Sequence, residues 1–115
     1  MSWEIILINT TKETTLSQTL PDFGEKLSFI EKVKSTWSES IFVNENNNLI
    51  VENDDFHCEF NLGPNEKIGN IILVQEIYLN KAKNIAPFFD VLCKKNDWQA
   101  IDLMSGMPIN WLEFN

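Results

Sequence analysis

Very little in this sequence is raw material for catalysis or for covalent scaffolding. Of 115 residues, one is histidine and two are cysteine. Cys58 and Cys93 are too few for a disulfide framework and lack CxxC or Cys/His metal spacing. No GxSxG, P-loop, GxGxxG or paired metal motif occurs. The longest strongly apolar runs, Ile5 to Ile8 and Ile71 to Val74, fall far short of the ~20 residues that span a bilayer. The start is not basic-then-apolar, so nothing there reads as a signal peptide. These absences lead to the expectation of a cytoplasmic protein that is not an enzyme, needs no cofactor or metal and engages no membrane.

Positive charge is scarce as well, and unevenly so. All nine cations are lysines, against 17 carboxylates. Between Ser35 and Glu66 there is no lysine, yet seven acids fall there: Glu39, Glu45, Glu52, Asp54, Asp55, Glu59 and Glu66. That block carries −7 of the net −8. Such asymmetry governs encounter with partners rather than fold, and it argues against nucleic acid as a partner for this region. A bland alternative is that acids simply keep the chain dissolved.

At this length the chain is expected to form one domain, residues 1–115, with a core that stands without metal or disulfide. Trp3 to Asn9 opens with bulky apolar residues and predicts a buried strand. Lys12 to Pro21 is polar and Thr-rich, a connecting loop. Asp22 with Glu25 three residues on resembles a capping box, and Phe23, Leu27, Ile30, Val33 and Trp37 repeat at helical spacing. Ile41–Val43 and Leu49–Val51 flank an Asn-rich turn, Asn44 to Asn48. Asn53, Asp54 and Asp55 make the next turn. Phe56, Cys58, Phe60 and Leu62 then alternate with polar residues, as in a strand with one buried face. Gly63-Pro64-Asn65 turns the chain into a strand from Asn70 to about Tyr78. Asn84 is placed to cap a second helix with Pro87 in its first turn, and Ile85, Phe88, Phe89, Leu92 and Cys93 form its apolar stripe. Asn96 reads as its left-handed stop, and Trp98, Ala100 and Leu103 lead into a last strand before Gly106 and Pro108. The expected order is β-α-β-β-β-β-α-β: an α+β fold, a mostly antiparallel sheet of about six strands with two helices packed on it.

Three local features compete as sites. Strand alternation sets Asp55, His57 and Glu59 on one outward face, where they could hold a metal or share a proton, or simply be solvated. Trp111 has no evident packing partner in the sequence; it is either an exposed interface residue or part of a tail folded back on the sheet. Both cysteines sit on apolar faces and are expected to be reduced, buried and inert.

Three passages, Met1-Ser2-Trp3-Glu4-Ile5-Ile6-Leu7, Asn53-Asp54-Asp55-Phe56-His57-Cys58-Glu59-Phe60 and Lys95-Asn96-Asp97-Trp98-Gln99-Ala100-Ile101-Asp102, carry a resemblance to another group of proteins. With the length and element order, the pattern resembles the small immunity proteins of bacterial polymorphic toxin and contact-dependent growth inhibition systems. The resemblance implies a protein that binds a cognate toxin domain and occludes its active site, with no catalytic residue of its own. Many such toxins are basic nucleases, which suits the acidic block. The expected contact residues are then Glu45, Glu52, Asp54, Asp55, His57, Glu59, Glu66 and Trp111. Alternatives are an acidic nucleic-acid mimic or other protein-binding adaptor, and a small metal-dependent enzyme built on Asp55, His57 and Glu59.

Overall fold

A computed structural model describes residues 2–12, 19–38, 40–45 and 47–114. Its elements are β1 (Ser2–Ile8), β2 (Gly24–Glu25), α1 (Lys26–Thr36), β3 (Ile41–Glu45), β4 (Asn48–Glu52), β5 (His57–Asn61), β6 (Lys67–Ile68), β7 (Ile71–Tyr78), α2 (Ala82–Asn96) and β8 (Gln99–Asp102). Six strands form one sheet in the order β3-β4-β5-β7-β1-β8, with every neighbouring pair antiparallel. The short strands β2 and β6 pair apart from it. The α+β expectation from sequence therefore holds, with the two helices against one face.

Period-two alternation decides that face. The register pairs Leu49 with Phe60, Val51 with Cys58, Phe60 with Val74, and Ile5 with Val74, so these side chains line up on one side. Helix α1 lays Phe29, Ile30 and Val33 on them, and α2 adds Ile85, Phe88, Phe89 and Leu92. Aromatic rings knit this layer: Phe29 stacks on Trp98 at 5.1 Å and meets Phe60 edge-on at 5.6 Å. Truncating a ring buried as completely as Phe60 typically costs about 3–5 kcal/mol, a large share of a small domain's stability. The two thiols belong to the same layer. Cys58 and Cys93 are free and buried, and burial pushes both thiols up in pKa, Cys93 to about 12. Among the described residues no helix is long and apolar enough to cross a membrane.

Among the described residues the opposite face is covered only in part. Ile6, Ile8 and Ile101 pack with Leu20, from the end of the expected loop, in a small second cluster. Most of that loop, residues 13–18, lies outside the described residues. Toward β3 the cover stops, leaving Ile41 63% and Val43 41% exposed.

Several local expectations are corrected. The Asp22–Glu25 capping box does not form; Glu25 is itself the N-cap and makes no side-chain capping bond. Gly24, at φ +85°, and Glu25 are drawn into pairing with Ile68 and Lys67, so the helix starts at Lys26, whose N–H donates to the Glu66 carbonyl at 2.8 Å. Phe23 precedes the helix, although it still packs edge-on against Phe29 and Trp98. Leu27 is mostly exposed rather than core. Helix α2 begins at Ala82 after a 3-10 turn, Leu79–Lys81, so Asn84 is internal and Pro87 lies inside the helix rather than in its opening turn. The left-handed residue after α2 is Asp97, at φ +57°, one position beyond Asn96, with the Trp98 N–H closing onto the Cys93 carbonyl. Leu103 falls in the turn after β8.

Candidate functional site

The β4–β5 turn concentrates the acids, and one side chain organises it. Asn53 Oδ1 accepts from the N–H groups of Asp55 at 2.9 Å and Phe56 at 3.0 Å, while the Asn53 N–H donates to the Phe56 carbonyl at 3.1 Å. An Asx side chain satisfying the turn's amides in this way holds the loop without a regular ladder. Asn53 Nδ2 also donates to Ser40 Oγ at 3.1 Å, tying the turn to the buried residue that leads into β3. The acidic turn and the start of the edge strand are thus one unit.

Between them lies a hollow of about 240 Å³ lined by Trp37, Ile41, Glu52, Asn53, Asp54 and Asp55. Trp37 is held from behind by Phe56 and Phe88, at 5.8 and 5.4 Å between ring centroids. The arrangement offers an aromatic surface beside three carboxylates, suited to a lysine or arginine side chain rather than an anion. A larger hollow of about 330 Å³, between the Gly63-Pro64-Asn65 turn and β7, contains only one charged lining residue, Lys67.

The structure separates the residues expected to act together. His57 lies between Glu52 and Glu59, its Nδ1 3.8 Å from Glu52 Oε1 and its Nε2 3.6 Å from Glu59 Oε2. Those spacings are too long for hydrogen bonds and become ion pairs only when the imidazole is protonated. Asp55 is not part of that row, because it sits in the turn and lines the hollow instead. Among the described residues, no group of three His, Cys, Asp or Glu could hold a metal ion. Glu59 is only half exposed, lying between Ile50 and Gln75 in the register, so it is not the fully solvated acid that alternation suggested. Glu45 is exposed at the far end of β3. Glu66 stands apart beside Lys26, and Glu39 lies outside the described residues.

Of the two readings of Trp111, the folded-back tail holds and the exposed contact residue is corrected. Its side chain is buried, stacked on Phe89 at 4.9 Å and 13° and touching Trp3 at 5.7 Å. A 3-10 turn, Trp111–Phe114, folds back onto α2, which removes it from any contact surface. Sequence reasoning missed Trp37 and Ile41 as site residues. Each reads as ordinary packing until the Asn53–Ser40 bond brings the turn beside them. Comparison with protein-family models, curated proteins and solved structures finds no match.

Proposed function

We propose that this chain is an immunity protein, which binds a cognate basic toxin domain in the cytoplasm and occludes its active site with an acidic surface. One observation carries the reading. Among the described residues no lysine forms an ion pair with any carboxylate of the central block; Lys94 pairs with Asp90 on α2, and Glu52 and Glu59 find only His57. Carboxylates left unneutralised at one end of a sheet accelerate encounter with a cationic partner and stand where that partner's anionic substrate would lie.

Co-expression with the product of the neighbouring gene tests this directly: that product alone should kill cells, and the pair should let them survive. For the purified pair, raising salt should slow association more than it speeds dissociation, because screening acts over about 10 Å at 0.1 M. Reversing Glu52, Asp54 and Asp55 to lysine should preserve the fold, since all three are exposed, while cutting the association rate on the order of tenfold or more. Full protection and salt-independent kinetics in that variant would reduce the acidic block to an aid to solubility.

A further inference from the structure

The sheet's open edge lies beside the acidic hollow, and the two features fit one kind of ligand. Among the described residues β3 pairs only with β4, so its outer side has no partner strand. The hydrogen-bond phase shows what that side presents. The Leu62 N–H donates to the Asn47 carbonyl at 3.0 Å, flanking the Asn48–Asn61 pair, so the backbone of Asn48 turns away from β5 and toward Glu45. Glu45, Val43 and Ile41 then bond to β4. By alternation, Phe42 and Asn44 direct their N–H and C=O groups outward. An exposed edge of this kind, without lysine, proline or a bulge to guard it, is a template for another strand.

We infer that an extended cationic segment of the protein partner adds to the edge of β3, its backbone pairing with Phe42 and Asn44 and one lysine or arginine side chain entering the hollow of Trp37, Glu52, Asp54 and Asp55. The inference rests on the reading above that the partner is a basic protein, and it names the element that receives it. Charge selects this occupant over a second copy of the chain. Self-pairing along β3 would bring each acid-rich turn, and Glu45 at the other end, against a molecule of the same −8 charge. A cationic strand meets carboxylates at both ends of the edge and apolar Ile41 and Val43 between them. Main-chain bonds supply affinity in strand addition, and side-chain pockets supply selectivity.

The probe is a short synthetic peptide alternating arginine with valine, titrated into isotopically labelled protein and followed by NMR. A matched peptide carries citrulline, which keeps the shape of arginine and removes its charge. The arginine peptide should shift the amides of Phe42 and Asn44 and the indole N–H of Trp37, saturably, and bind roughly tenfold tighter than its citrulline twin, about 1.4 kcal/mol. Combining Glu52→Gln, Asp54→Asn and Asp55→Asn should erase that preference while leaving the edge shifts. Asn44→Pro removes one outward donor without touching the bonds to β4, and should weaken both peptides while the thermal unfolding midpoint stays near wild type. Absence of saturable shifts, shifts centred elsewhere, equal binding of the two peptides, or a salt-sensitive β3–β3 dimer of the free protein would each overturn the inference. Neutralisation of the toxin is scored separately. Protection without edge shifts sinks this inference and leaves the immunity reading; edge shifts without protection do the reverse.

Discussion

The sheet ends in two short strands, β3 and β8, and the chain finishes them in opposite ways. Outside β8 the backbone is answered from within the molecule. The Asp102 N–H donates to the Met107 carbonyl and the Ile109 N–H to the Ala100 carbonyl, both at 2.9 Å, with an isolated bridge between Ile101 and Pro108. Trp111 then pins this returning segment to α2. Outside β3 the described residues provide nothing equivalent. An edge must be covered, guarded or used. Among the described residues one edge of this sheet is covered, and the other is left with outward hydrogen-bonding groups and two exposed apolar side chains. The contrast shows that the chain can close an edge, and the open one is where the proposed partner strand would add.

The largest test of this contrast removes the pin. Trp111→Ala should destabilise the fold by about 3–5 kcal/mol, read by urea unfolding. Exchange protection should fall at the amides of Asp102 and Ile109 before the β3–β4 pairing is affected. Labelling of Cys93 should quicken too, because Trp111 and that buried thiol belong to the same packed cluster.

A smaller effect is expected at Asp102, which fastens β8 to β1. Its Oδ1 accepts from Trp3 Nε1 at 3.0 Å and its Oδ2 from the Ser105 N–H at 3.2 Å. Those bonds, the Trp3 one foremost, hold its carboxyl below the usual carboxylate value. A carboxyl with a lowered pKa in the folded state contributes stability that is complete above its unfolded value and disappears as pH falls through the folded one. Asp102→Asn should therefore cost roughly 1 kcal/mol at neutral pH. The difference between variant and wild type should shrink on the acid side, as read by thermal unfolding across a pH series.

Smaller still, Asp97→Gly should stabilise the junction of α2 and β8 by roughly 0.5 kcal/mol, since a non-glycine residue in the left-handed region carries about 1–2 kcal/mol of strain and glycine adds back some chain entropy. At the open edge, Val43→Lys should change stability by less than about 0.5 kcal/mol, because the side chain already faces water. Its effect should appear instead in binding. A loss of several kcal/mol there would mean that β3 is packed after all.

The fold was legible where one physical rule acted alone. Phe56, Cys58, Phe60 and Leu62 alternate strictly and are buried, and Ile85 to Cys93 keep one stripe and cover the sheet. Errors arose where a distant partner competed with a local signal. Asp22 and Glu25 have the spacing of a cap, but pairing of Gly24 and Glu25 with Ile68 and Lys67 uses that stretch otherwise. Trp111 seemed partnerless because Phe89 and Trp3 lie 22 and 108 positions away. The acids of the candidate site were visible as a charge run. Their grouping was not, since it depends on an Asn53–Ser40 bond between different elements.

The strand order also sets a timetable. Strand β1 is made well before both of its neighbours, β7 and β8, which lie far along the chain. At about 5–20 residues per second, some 5–20 s separate the appearance of Ile5 from that of its partner Asp102. Until β7 emerges, Ile5 to Ile8 have no strand to pair with. Long-range pairing of this kind slows folding, because the connecting chain must be ordered before any contact rewards it. The β3–β4–β5 meander, by contrast, pairs between near neighbours and can assemble early. A nascent chain could therefore display its acidic turn before it has a core to hold that turn in place.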